Sequence, residues 1–257
     1  KHNPKVKRIE IGLNQGETDL VLREFWGGTM KKLLSFAMAC ALVLCGCGGT
    51  TTTEEPTTPT NGKSEGVMTY EEYVAAEMQT EVTIETYVQA KQSWWDNKGT
   101  FYTQDEDGAY FIYEMGCSQE DYDKLVPGTK IKVTGIKSEW SGEVEVTEAT
   151  FEIEDGNFVA TPLDVTAMVG TDDLAKHQNE LVKFTDATVE KVEYKNGEPG
   201  DDIYVTATVN GTAVDFCVEY YLTGSDTEVY TTVGTLNAGD VVDIEGFLYW
   251  YNGANPH

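Results

Sequence analysis

Positive charge is scarce in this chain. Its 257 residues carry 18 Lys and Arg against 44 Asp and Glu, a formal net charge of −26. A protein that holds nucleic acid by neutralising phosphates needs a basic face, and this balance argues against one. Histidine is scarcer still, with three residues. Beyond residue 46 only His177 and His257 remain, at opposite ends of one region. They form no His/Cys/Asp cluster for a metal and no nucleophile–base pair. No catalytic residue, metal ligand or cofactor is nominated, and the chain reads as a non-enzyme. Phosphate-cradling glycine motifs are absent too. Cysteines number five; three of them (Cys40, Cys45 and Cys47) crowd one segment, leaving only Cys117 and Cys217, too few for a disulfide framework. They read as two small buried hydrophobes. The long apolar run at 33–44 is about a dozen residues, short of the roughly 20 that span a bilayer.

What is present places the chain among folded proteins. The hydrophobic fraction is 40%, with 14 Tyr and 5 Trp, too apolar for a disordered chain. The first Met is Met30. Lys31 and Lys32 follow, then the apolar run, then Leu44-Cys45-Gly46-Cys47. Two cations before a short apolar stretch form a secretory signal. The tetrapeptide resembles the lipobox of bacterial lipoproteins, with Cys45 where a small Ala or Ser is usual. The resemblance implies cleavage before Cys47 and a diacylglyceryl group on its thiol, an anchor to a bacterial membrane on its extracytoplasmic side. The remaining 211 residues would then carry a net charge of −29. Trp26-Gly27-Gly28-Thr29 back-translates to purine-rich codons just ahead of Met30, as a ribosome-binding site would, so residues 1–29 read as untranslated sequence.

Residues 48–66 hold Thr, Pro, Gly and Glu without a core-forming residue, a flexible tether. Thr69 and Glu72 have capping-box spacing and predict a short helix over 70–77. The period then becomes two. Val82, Ile84, Thr86, Val88 and Ala90 alternate with polar residues as a half-buried strand. Residues 101–103 and 109–114 read as a hairpin around Asp107-Gly108. Ser118 and Asp121 start a second helix. Ile131 and Val133 mark a fourth strand, and Val144 and Val146 a fifth.

The same grammar recurs. Gly128, Gly135 and Gly142 map onto Gly239, Gly246 and Gly253, each 111 residues later; Ile131 and Val133 map onto Val242 and Ile244, and Trp140 onto Tyr251. Several matches at one offset indicate a duplication. Val82 and Val182 lie only 100 apart, so the second copy carries about eleven extra residues, placed by this reading at 196–202.

The order strand, strand, strand, helix, strand, strand resembles the OB-fold over about 81–156 and 180–257. The resemblance implies a mainly β protein of two tandem five-stranded OB-fold-like barrels with short connecting helices, the second truncated at His257 after its fourth strand. The domain reading is then 1–29 extension, 30–46 signal peptide, 47–67 lipidated Cys47 and tether, 68–156 first unit with its leading helix, and 157–257 linker and second unit.

Loop aromatics are the candidate ligand-binding residues. Trp94 and Trp95 lie between strands one and two, and Trp140 between strands four and five. Tyr249, Trp250 and Tyr251 hold the equivalent place in the second unit. In OB-folds these loops flank the face that binds oligonucleotides or oligosaccharides. Aromatic planes stack on bases or on sugar rings. With Lys91 and Lys98 alone beside Trp94-Trp95, the charge favours a carbohydrate or cell-wall fragment over nucleic acid. A membrane protein partner docking on the tandem units is a rival, and the same rings would equally cap the barrels or pack them together. Asp105-Glu106-Asp107-Gly108, Asp172-Asp173 and the acids of 198–202 lack the further oxygen ligands of a calcium loop and read as turns. His177 reads as an exposed linker residue.

Overall fold

The computed structural model describes residues 7–10 and 63–257. The segments read from the sequence as signal peptide and lipidated Cys47, and most of the one read as tether, lie outside the described residues. A six-residue helix, α1 (Tyr70–Ala75), opens the first unit. Thr69 accepts from the Glu72 amide at 3.1 Å and Glu72 accepts from the Thr69 amide at 2.9 Å, so the capping box closes reciprocally. Its far end is satisfied by a lysine from elsewhere. Lys137, buried on β5 (Thr129–Trp140), donates to the Tyr73, Val74 and Ala76 carbonyls at 2.8, 2.9 and 2.8 Å. A cation there also meets the negative end of the helix dipole.

Three strands follow: β2 (Glu81–Lys91), β3 (Lys98–Gln104) and β4 (Ala109–Gly116). The β3–β4 turn is built by Asp105, whose Oδ1 accepts from the Asp107 and Gly108 amides at 2.8 and 3.0 Å. The acidic loop is therefore a turn, as its spacing suggests. Gly108 has no side chain because the Tyr70 ring fills that place, 2.4 Å from where a Cβ would sit. Helix α2 (Gln119–Lys124), capped by Ser118, leads to β5 and then β6 (Glu143–Asn157). β2, β3, β4, β6 and β5 close into a barrel, with β4 and β6 parallel at Phe111 beside Glu145 and Ile112 beside Val146. Alternation sends Ile131, Val133 and Val146 inward, where they pack with Ile84, Phe101 and Leu125.

Residues 63–67, read from composition as the end of a tether, are held by the first unit. Val67 is buried, Ser64 donates its amide to Glu85, and Lys63 pairs with Asp105. Residues 63–67 thus belong to the first unit.

Beyond the short strand β7 (Leu163–Asp164) and two 3-10 turns, the second unit repeats the plan: β8 (Leu181–Tyr194), β9 (Ile203–Val209), β10 (Thr212–Val218), helices α3 (Tyr220–Thr223) and α4 (Glu228–Val233), and β11 (Val241–Phe247). His177, in the second of those turns, is half-buried and lies 3.2 Å from both Glu180 carboxylate oxygens, not free in a linker. The extra length sits elsewhere than the 196–202 loop. The connection from third to fourth strand is twelve residues in the first unit (117–128) and twenty-two in the second (219–240), because two helices replace one. The equivalence is close in geometry. Gly128 and Gly239 both have φ near +90° (92° and 91°), and each donates its amide at 2.8 Å to a valine of its first strand, Val88 or Val189.

The end of the second unit differs from a simple stop after strand four. The chain turns back through a bridge between Trp250 and Ala254. Phe247 and His257 then exchange backbone bonds at 2.7 and 2.8 Å, and Cys217 donates to Pro256 at 2.9 Å. At the 111-residue offset Pro256 stands for Glu145. Residues 256–257 thus run back between β11 and β10, held by backbone hydrogen bonds to both. Further along, β1 (Lys7–Glu10) lies parallel to β11 at Val242–Glu245, although 1–29 read as untranslated. The second sheet runs β1-β11-β8-β9-β10. The protein is mainly β, one closed five-stranded barrel beside a second OB-like sheet.

No helix among the described residues is long and apolar enough to cross a membrane. Cys117 and Cys217 are free and buried in separate units.

Candidate aromatic cleft between the units

The two units meet along an apolar seam. Ala90, Tyr102 and Phe111 of the first pack on Leu181, Leu222 and Phe247 of the second. Tyr102 stacks on Phe247 with centroids 4.6 Å apart and planes 20° apart. Burial of these rings supplies the main association term, at about 25 cal/mol per Å² of apolar surface. Polar contacts set the register: Gln92 Nε2 donates to both Glu219 carboxylate oxygens at 2.8 and 2.9 Å, and the Ser93 amide donates to the Tyr221 carbonyl at 2.7 Å.

A cleft of about 710 Å³ opens above this seam. Trp94, Trp95, Trp140 and Tyr249, four of the six aromatics singled out from the sequence, line it, joined by Phe111, Tyr113 and Tyr221. Their exposure divides their roles. Trp95 is 69% exposed and Trp140 54%. Trp94 is half-buried against the first core, its Nε1 donating to the Cys117 carbonyl at 3.1 Å. Tyr249 forms the floor, edge-on to Phe111 and stacked on His257 at 4.3 Å. His257 Nε2 faces Asn255 Oδ1 at 3.2 Å and Nδ1 faces the Tyr102 hydroxyl at 2.8 Å. Nδ1 also lies 3.4 Å from Glu219 Oε2, so the ring sits between a phenol and a carboxylate. Burial holds that phenol well above its ordinary pKa, so it keeps the proton.

Trp250 and Tyr251 go elsewhere. They line a second pocket of about 420 Å³ and clasp the hairpin tip of the first unit. Tyr251 lies over Trp140, and the Trp250 indole occupies the space a Cβ on Gly142 would need, 2.8 Å away. Trp250 donates its amide to Glu143 at 2.8 Å, and Asn252 donates to the Ser141 carbonyl at 2.7 Å.

The cleft is acidic. Glu114, Glu145 and Glu219 line it, with Lys98 as its lysine. Lys98 is taken up by Glu114 at 2.7 Å, and that bond holds the Glu114 carboxyl below its usual range. Behind the wall Glu143 is fully buried, and burial pushes its carboxyl up to about 8. Asn179 lies against it, and Glu143 Oε1 and Asn179 Oδ1 are both buried acceptors without a donor. A protonated Glu143 supplies one. Glu145 is likewise raised by burial.

Sequence reasoning missed Tyr113, Tyr221, Glu145 and Glu219. Glu143-Val144-Glu145-Val146 alternates as a solvent-facing strand would. The outward carboxylates are covered only because the second unit docks there, and no local signal reports that. Among the described residues no group of three or more His, Cys, Asp or Glu could hold a metal.

No family model and no curated protein matches this chain. Among solved structures, the p202 HIN1 domain in complex with a 12-mer double-stranded DNA is 14% identical, with 78% of this chain and 96% of that chain covered and a TM-score of 0.32. The p204 HINb domain is 9% identical, covering 70% and 94%, with a TM-score of 0.33. A replication protein A heterotrimer bound to single-stranded DNA is 14% identical, covering 63% and 42%, with a TM-score of 0.28. At these values no ligand passes from those proteins to this chain.

Proposed function

We propose that this chain is a non-enzymatic binding module, held on the extracytoplasmic side of a bacterial membrane by lipidated Cys47, and that its inter-unit cleft receives a carbohydrate or cell-wall fragment. The convergence of Trp94, Trp95, Trp140 and Tyr249 on one cleft carries this reading. Exposed indole rings offer flat apolar faces to sugar rings. Carboxylates between them accept hydroxyl hydrogens and repel phosphates. Single-stranded nucleic acid is the second reading. Aromatic platforms on OB-like units favour it, since bases stack on such rings for about 1–3 kcal/mol each. The three cleft carboxylates and the net charge of −26 oppose it.

The test is tryptophan fluorescence of the full-length chain, titrated with soluble wall fragments, neutral oligosaccharides, single-stranded DNA and duplex DNA at two salt concentrations. A saturable, salt-insensitive change with a sugar, lost in Trp95→Ala, supports the first reading. A response to DNA alone, falling steeply with salt, replaces it with the second. A flat response to all four overturns both.

A further inference from the structure

Glu145 stands apart from the other carboxylates of the cleft. It lies on β6, beside Phe111 of β4 and Ser138 of β5. It is 8% exposed, lines the cleft, and makes no side-chain hydrogen bond or ion pair among the described residues. By contrast Glu114 holds Lys98, and Glu219 holds Gln92. Its carboxylate oxygens are not among the fully buried unpaired atoms and still reach water, which a cation arriving there would replace. Here the open side of that carboxylate is the cleft itself. Its charge is felt by Tyr113 and Tyr249, so two aromatic rings sit close to it. A carboxylate among aromatic faces is the donor set that recognises an organic cation, by ion pairing and by attraction of positive charge to ring faces.

We infer that the ligand of the cleft is an oligosaccharide with free amino groups, one protonated amine pairing with Glu145 while its ring packs on the neighbouring aromatics. This rests on the carbohydrate reading above and narrows it. The amine supplies the partner that Glu145 lacks. An N-acetylated ring of the same shape offers no charge there and leaves the carboxylate unpaired.

The test is calorimetric titration of the full-length chain at near-neutral pH with a glucosamine oligomer and with its fully N-acetylated counterpart of equal length. The free-amine oligomer is expected to bind about tenfold tighter or more, equivalent to roughly 1.4 kcal/mol. Glu145→Gln is isosteric and removes an unpaired buried charge, so it should fold at least as well as the parent, checked by its thermal midpoint. It is expected to abolish the preference for the free-amine oligomer, so that the two oligomers bind this variant alike. Equal or tighter binding of the acetylated form overturns the inference and leaves the carbohydrate reading standing. A preference that survives Glu145→Gln overturns the role of Glu145. Binding of neither oligomer overturns this inference and counts against the carbohydrate reading as well, which Trp95→Ala then tests separately with neutral sugars.

Discussion

Trp140 and Tyr251 hold the same position in two copies of one unit, 111 residues apart, and their rings lie 5.3 Å apart with planes 32° apart. The two hairpin tips thus clasp each other. Gly142 makes this possible twice over. Its φ of +92° suits a residue without a side chain, and the Trp250 indole stands 2.8 Å from its missing Cβ. Gly142→Ala is expected to destabilise the protein by about 1–3 kcal/mol through overpacking and backbone strain. Chemical denaturation would show it, and a split into two transitions would show that the clasp couples the units.

Trp94 and Trp95 should separate stability from binding. Trp95 is 69% exposed, so Trp95→Ala should change stability by no more than about 0.5 kcal/mol while weakening the ligand. Trp94→Ala loses packing and the bond to the Cys117 carbonyl, and should cost about 2 kcal/mol. Thermal unfolding of both variants, beside their binding isotherms, tests the division.

Glu143 makes the contact between units sensitive to pH. Its folded pKa is raised to about 8 from an ordinary 4.5. Between those values the folded state binds a proton that the unfolded chain does not, so stability falls as pH rises through that window and is greatest below it, at roughly 1.4 kcal/mol per pH unit. Glu143→Gln keeps a donor for Asn179 and should flatten the dependence. Equal slopes in urea-unfolding series of parent and variant would show that another group carries it.

Lys137 closes α1 from another element. Lys137→Met leaves the carbonyls of Tyr73, Val74 and Ala76 without their donor. A loss of about 1–3 kcal/mol is expected, with hydrogen exchange accelerated first across Tyr70–Ala75.

The anchor is tested at Cys47. Cys47→Ser should abolish incorporation of a labelled fatty acid and move the protein from the membrane fraction to the soluble one. Cleavage before Cys47 would also remove Lys7–Glu10 and uncover the β11 edge that this strand pairs with. A native tryptic peptide from within residues 6–23 would show that the leading segment is translated.

Much of the first unit was legible in the sequence because its signals are local. The Thr69–Glu72 capping box, the Asp107-Gly108 turn and the period-two strands each lie within a few residues. The second unit was legible through its offset glycines. The misplaced insertion has a physical cause. Residues 219–240 are rich in Tyr, Val and Thr, which favour strands. Yet Glu228–Val233 is helical, started by Thr227, whose side chain accepts from the Tyr230 amide at 3.3 Å. Capping and packing outweighed propensity there.

The sequence by itself determined the strand order, the duplication and the aromatic character of the loops, because alternation and turn chemistry act over short distances. Only the tertiary structure decided which aromatics face one cleft and which clasp the units together. Trp140 and Tyr251 are equivalent in sequence, yet Trp140 lines the larger cleft and Tyr251 the smaller pocket. Glu143 and Glu145 read as solvent-facing until the second unit covers them. A carboxylate's environment is set by whatever packs against it, and here that surface comes from more than 30 residues away along the chain, Asn179 beside Glu143 and Tyr249 beside Glu145.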